Sequence, residues 1–371
     1  MSAINPSGNH ELVSVVIPIY NAEGTLDECL ASIEAQTHRE LEVVCVNDGS
    51  TDASARIARE HAARDGRIVV VDKPNEGYGA SCNRGVATAR GTWVAIVEPD
   101  DVLPETAYED LLACADAAGG SAAVDVVRGA YWRTFPDERG NEVRVSCPYR
   151  GRVRPRRQPF AVGDGVELLR HHPAIWAGCY RRSYLVEQGI RFPEVPGAGW
   201  ADNPFLVETL CRTHRIAYTD DCVYVYRERD LREAESLAGR APTTPLERWN
   251  DMMDVVEFAG VTDRRVLSAL ALRGVNYALI TLEGAGEDAP GVRELLERSM
   301  GRLEPELVFS EPGISSAGRA LYARVRGVDE PRGGGLAHLA YLVREGLYRV
   351  RTNGLGFSVR TALSRRGGRL V

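Results

Sequence analysis

Three carboxylates close one short apolar run: Trp93-Val94-Ala95-Ile96-Val97 passes directly into Glu98-Pro99-Asp100-Asp101. A run of that kind reads as a parallel strand buried on both faces, whose carboxyl end is where open α/β sheets place ligands. Two ionised carboxylates about 4 Å apart repel by roughly 4 kcal/mol at an effective dielectric near 20, so such a cluster calls for a cation, a proton or full solvation. All its donors are hard oxygens, which favour magnesium, manganese or calcium over zinc. Taken alone, the tetrapeptide also reads as a Pro-Asp turn that only ends the strand.

Two other polar groups close apolar runs in the same manner. Val13 to Pro18 leads into Ile19-Tyr20-Asn21-Ala22-Glu23, and Leu41 to Val46 leads into Asn47-Asp48-Gly49-Ser50-Thr51-Asp52. Gly49 permits a tight turn and Asp52 can cap a following helix. Singly, each is ordinary strand-to-helix turn chemistry. Together, three parallel strands deliver polar side chains to one edge, which is how a nucleotide pocket is built. The elements that position them alternate. Strands over 13–18, 41–46, 67–71 and 93–97 are separated by helices over 26–35, 53–64 and 80–90, the first with Leu26, Leu30 and Ile33 on one face. This βαβαβαβ rhythm predicts an α/β fold with a mostly parallel sheet and right-handed crossovers. Gly77-Tyr78-Gly79 is half of a dinucleotide fingerprint, but Cys82 holds the third glycine position and no acid that ends a strand about twenty residues on has room for a ribose in the dinucleotide manner, which argues against a Rossmann dehydrogenase. The small residues there let the helix from Ala80 pack close to a nucleotide, with Asn83 near the pocket or capping locally.

Beyond Asp101 the rhythm weakens. A helix is expected over 107–118, a strand over 125–135, a basic loop over 150–159, a short helix over 166–171 and a late strand over 218–226. A loop over 237–245 marks a boundary, followed by helices over 246–259, 263–281 and 292–300. The net charge of −7 over 371 residues argues against non-specific nucleic-acid binding, yet from Arg332 to the end eight arginines face one acid, Glu345. There Leu339, Leu342, Val343, Leu347 and Val350 alternate with Arg344, Arg349 and Arg351 at helical spacing. Such a segment reads as a basic amphipathic helix on an anionic bilayer, or as a helix packed on the acidic remainder. Eight cysteines without a Cys-x-x-Cys pair point to buried thiols in a reducing cytosol. Met1 to Glu11 lacks the blocks of a signal peptide, and no run reaches the about eighteen apolar residues that span a bilayer.

Four blocks in order, Val15 to Glu23, Val46 to Asp52, Asn75 to Gly85 and Glu98 to Asp101, resemble the family 2 glycosyltransferases, enzymes of the nucleotide-sugar-binding GT-A fold. The resemblance covers the first third of the chain and continues more loosely to about Arg229. It implies that Pro18, Tyr20 and Glu23 line the base and ribose of the donor, with Asn83 and Glu98 also on the nucleotide. Asp48 would accept from the uracil ring N–H, which distinguishes uracil from cytosine because the latter carries no proton there. Asp100 would hold a magnesium or manganese ion at the diphosphate, with Asp101 as a supporting acid; Glu98 stands where most relatives carry Asp. Gly199-Trp200-Ala201-Asp202-Asn203-Pro204-Phe205 resembles the block whose acid deprotonates the acceptor, and Asp202 occupies that position, with Ala201 where Glu or Gln is usual. Asp202 also reads as the N-cap of a helix over 203–211. Trp176 and Trp200 are placed on the acceptor side, Trp176 reading equally as a core residue. An arginine at Arg227 or Arg229 is placed near the diphosphate, and His171 and His172 read as structural.

These readings converge on a GT-A, Rossmann-like sheet flanked by helices with a C-terminal helical extension. The expected division is a catalytic domain over 12–235, with donor and acceptor halves meeting near 105, a helical extension over 246–330 and a basic tail over 331–371. The expected activity is metal-dependent, inverting transfer of a sugar from a UDP-linked donor to a glycan or lipid-linked acceptor, in the cytoplasm and peripheral to the inner face of the membrane. A sugar-phosphate nucleotidyltransferase would need a basic, Gly-rich loop after the first strand, and Pro18 to Glu23 contains no Lys, Arg or Gly. A catalytically silent glycan- or nucleotide-binding scaffold is the other alternative.

Overall fold

The computed structural model describes residues 11–137, 140–228, 241–331 and 334–354. Strands β1 (Val13–Ile19), β2 (Leu41–Asp48), β3 (Ile68–Lys73) and β4 (Trp93–Ile96) run parallel in the order β3-β2-β1-β4. Every residue of β1 and β2 is buried, as strands covered on both faces require. The covers are α1 (Leu26–Glu34), α2 (Ser54–Ala62) and α3 (Tyr78–Thr88). The register sets Ile19 beside Asn47, Asp48 beside Lys73 and Val16 beside Ile96. All four carboxyl ends therefore emerge at one edge.

The sheet then changes sense. β7 (Gly178–Arg181) pairs antiparallel with both β4 and β5 (Val126–Pro136), β6 (Glu142–Ser146) runs antiparallel to β5, and β8 (Ile216–Arg227) runs parallel to it. α4 (Ala107–Ala117) and α6 (Arg182–Gln188) flank this half, and α7 (Asp202–Cys211) precedes β8. The short helix expected over 166–171 is shorter still, α5 (Glu167–Arg170), entered through a 3-10 turn at Val162–Gly165.

A helical layer follows: α8 (Thr244–Phe258), α9 (Arg264–Ala285), α10 (Val292–Gly301), α11 (Pro305–Ser310), α12 (Ser316–Arg326) and α13 (Gly334–Asn353). It does not stand apart from the sheet domain, because α8 packs on α7 and α9 packs on α5. Trp249 of α8 donates its indole N–H to the Leu270 carbonyl at 2.9 Å. Its ring lies so close to Gly274 that a Cβ there would sit 2.4 Å from it. By length and hydropathy α9 would pass as a membrane span, unlike anything the count of uninterrupted apolar residues predicts, but 56% of its most apolar window is buried inside the protein. α9 is the core of this layer. Residues 237–240 of the expected boundary, Arg229, and the tail beyond Gly354 lie outside the described residues.

Candidate active site

The acid cluster sits at the shared edge, and its three members have different surroundings. Asp101 is fully buried; it accepts the Tyr224 hydroxyl at 2.8 Å and the Arg227 N–H at 2.7 Å. The same Tyr224 oxygen accepts the Glu98 N–H at 3.1 Å, so β8 laces the strand end in place. Glu98 is half-buried and receives the Tyr78 hydroxyl at 2.5 Å. Burial pushes its carboxyl up to about 8, with the Asp100 and Asp202 charges adding and the Tyr78 bond opposing. Burial also raises Asp101 well above the carboxylate range, with Asp100 adding to the shift. Asp100 is exposed.

This donor set bears on the metal. Among the described residues no three His, Cys, Asp or Glu side chains form a ready cage, and Asp101 is committed to β8. An exposed Asp100 carboxylate fits a hard cation that takes one or two protein carboxylates and completes its shell with water and phosphate oxygens, and does not fit a preformed zinc site.

The residues expected on the nucleotide divide. Tyr20 is 51% exposed at the mouth, whereas Pro18 is buried within β1. Glu23 and Asp52 cross-link two turns: Glu23 accepts the Ala53 N–H at 2.9 Å and Asp52 accepts the Glu23 N–H at 3.0 Å. Asp48 is buried, paired with Lys73, and accepts the N–H groups of Glu76 at 2.9 Å and Gly77 at 3.0 Å. It thus pins the loop that opens α3, using three of the roughly four acceptor sites a carboxylate offers. Asn83 does not cap locally but bridges to the 192–194 segment. Its amide donates to the Phe192 carbonyl and Glu194 and its oxygen accepts the Phe192 N–H, each at 2.9 Å. The small residues at the start of α3 serve the same contact: a Cβ at Gly77 (φ +95°) would meet the Val195 carbonyl at 2.6 Å, and one at Gly79 the Pro193 carbonyl at 2.0 Å. Their closeness is to the 192–197 segment.

That segment delivers Asp202. The acid lies in the first turn of α7 and its side chain does not cap the helix. Its Oδ1 accepts the Asn203 amide at 3.1 Å. The Asn203 oxygen in turn accepts from the buried Arg273 and from the Tyr277 hydroxyl at 2.8 Å, both on α9. Burial raises the Asp202 pKa, and the Arg273 charge and the Asn203 bond pull against the rise. Trp200, at φ +56°, sets its ring edge-on to Tyr277 with centroids 5.3 Å apart. Trp176 is a core residue: only 5% exposed, stacked on Tyr224 at 4.1 Å and on Tyr226 at 5.3 Å, it has no face for a sugar. His172 is the surprise. Solvent reaches it, yet its ring sits 5.5 Å from Tyr226 and 6.2 Å from Trp176, and its surroundings, with Arg133 and Arg273 adding, push its pKa down to about 4. Its Nδ1 accepts the Ala174 N–H at 3.2 Å, which leaves the proton of the neutral ring on Nε2. Arg227 is occupied by Glu28, at 2.6 and 2.5 Å.

Residues 14–175 match the family model described as Glycosyl transferase family 2. This stretch, less than half of the chain, is similar to glycosyl transferase family 2. The chain is 30% identical over 229 residues to the uncharacterized glycosyltransferase EpsJ of Bacillus subtilis (58% of this chain, 61% of EpsJ). It is 24% identical over 269 residues to a poly(ribitol-phosphate) beta-glucosyltransferase of Bacillus spizizenii (70% of this chain, 39% of that one). The chain thus spans about three fifths of EpsJ and less of the second relative. Among solved structures, residues 1–349 of S. aureus TarS in complex with UDP-GlcNAc superpose with a TM-score of 0.66 at 22% identity, over 85% of this chain and 90% of that one. That likeness shows the fold, GT-A, extending through the helical layer.

Proposed function

We propose that this protein is an inverting glycosyltransferase that moves a sugar from a UDP-linked donor to a hydroxyl of a cell-surface glycan or lipid-linked acceptor. The observation that carries the reading is Asp202, held in the cleft by Asn203 with its pKa lifted toward that of a useful base. The donor side is supported by the family match over residues 14–175 and by the UDP-GlcNAc complex of a chain with the same fold. Asp202 takes the acceptor proton; the acceptor oxygen attacks the anomeric carbon from the face opposite the diphosphate. The new carbon–oxygen bond forms as the bond to the diphosphate breaks, and its electron pair leaves with UDP. Tyr20, Glu23 and Asp48 border the base and ribose, with Pro18 behind them in β1. Asp100 would hold magnesium or manganese, whose positive charge would stabilise the diphosphate. Residues 12–235 form the catalytic domain in this reading, 246–330 its helical extension and 331–371 a basic tail, at the cytoplasmic face of a membrane.

Thermal melting against UDP-, GDP- and dTDP-sugars, with and without manganese, tests it. A ligand at a hundred times its Kd stabilises the folded state by about 2.7 kcal/mol. The UDP-sugars are expected to raise Tm and to be slowly hydrolysed. No shift and no hydrolysis with any UDP-sugar would leave a catalytically silent scaffold.

A further inference from the structure

Helix α13 is docked by its polar side. Glu345 accepts from both terminal guanidinium nitrogens of Arg152 at 2.9 Å, and the same guanidinium lies 3.4 Å over the Tyr348 ring. The Tyr348 hydroxyl donates to the Arg150 carbonyl at 2.8 Å, and Asn353 accepts the Ser146 N–H at 3.0 Å. At 3.6 residues per turn, Leu336, Leu339, Val343, Leu347 and Val350 fall within about 80° of the helix circumference, on the side away from Glu345 and Tyr348. All five are between 36% and 78% exposed. A surface helix ordinarily buries its apolar stripe and wets its charged one. Here the stripe points outward.

Positive charge borders it. Arg344 and Arg351 are exposed on α13 itself. The loop that carries Arg152 continues through exposed Arg154, Arg156 and Arg157. From Arg332 to the end, eight arginines less one glutamate leave seven net charges, and that glutamate is the one paired with Arg152. We infer that the outward stripe and its arginine border form a docking surface for an anionic lipid bilayer. The aliphatic side chains enter the boundary between headgroups and acyl chains and the arginines meet lipid phosphates. A second copy of the chain is a poor occupant, because it would set two like-charged tails against each other with no acid on the stripe. The inference rests on the peripheral setting proposed above and specifies the face.

The test is flotation of the full chain with phosphatidylglycerol/phosphatidylcholine vesicles and with phosphatidylcholine vesicles alone, beside UDP-sugar hydrolysis in solution. Binding is expected on the anionic vesicles and much weaker binding on the neutral ones. R344A/R351A should weaken partitioning by about 30-fold, from about 1 kcal/mol per arginine. L339E/V343E/L347E should abolish it while leaving hydrolysis at the wild-type rate. Equal binding to both vesicle types, undiminished binding by the triple glutamate variant, or a dimer by light scattering that needs the stripe and no vesicle binding, would each overturn it. Loss of vesicle binding with hydrolysis intact removes the docking surface alone, whereas vesicle binding without hydrolysis removes only the transfer reading.

Discussion

Replacing Asp202 by Asn separates proton acceptance from packing. The two side chains have nearly the same volume, and Asn can keep the bond from the Asn203 amide, now 3.1 Å long, through its own oxygen. What disappears is basicity. A positioned general base contributes about 10²- to 10⁴-fold, which at 1.36 kcal/mol per factor of ten is about 3 to 5 kcal/mol of barrier. Burial lifts the Asp202 pKa and narrows its gap to an alcohol, so the loss should fall in the upper part of that range. The assay is kcat and KM with purified protein across acid to alkaline pH, alongside UDP-induced thermal stabilisation. The active form of Asp202 is the ionised one, so wild-type kcat/KM should fall as pH drops through its raised pKa. In D202N that limb should vanish from a uniformly low rate, with donor binding unchanged. Transfer by D202N at the wild-type rate, or a wild-type profile with no acid limb, would refute the reasoning.

Arg273→Gln removes the cation that opposes the rise in the Asp202 pKa; that pKa then climbs further, and the acid limb of kcat/KM should move to higher pH. Tyr277→Phe, which removes only a neutral hydrogen bond, should leave the limb where it is. Glu98→Asp and Tyr78→Phe each break the same 2.5 Å bond, so their effects on kcat should be non-additive, with a coupling of about 0.5 to 3 kcal/mol in a double-mutant cycle. Asp100→Ala should abolish the extra Tm increase that manganese gives in the presence of UDP, while leaving the melting of the free protein close to wild type.

The donor half was legible because its physics is local. Val13 to Pro18 and Leu41 to Val46 are apolar runs that end in turn residues, and the strands extend each by only one or two residues, to Ile19 and Asp48. The four-residue β7 and five-residue β6 are too short for a period to show. Relations across the chain were hidden for another reason. Nothing near Asp202 announces that Asn203 is held by Arg273, seventy residues on. Nor does anything near Trp176 announce the tyrosines of β8 that cover it. Tyr78 lies inside the Asn75 to Gly85 block, but its bond to Glu98 depends on where α3 begins, which the small residues at 77 and 79 blur. His172 carried a faint signal, a histidine pair before Pro173, with no partner spacing to give it a role.

The reach of α9 to Asn203, beside Asp202, bears on modularity. The family match ends at residue 175, before Asp202, and a fragment closed at the end of β8 would retain the acid while discarding Arg273 and Tyr277. Such a fragment keeps the shared edge of β1 to β4 but leaves the Asn203 oxygen without either of the donors that orient it. The smallest unit that can be exchanged between relatives, or recombined by design, therefore runs from β1 through α9. Chimeras joined between β8 and α8 should be compared as donor binders and as transferases separately, because the junction cuts only the second property.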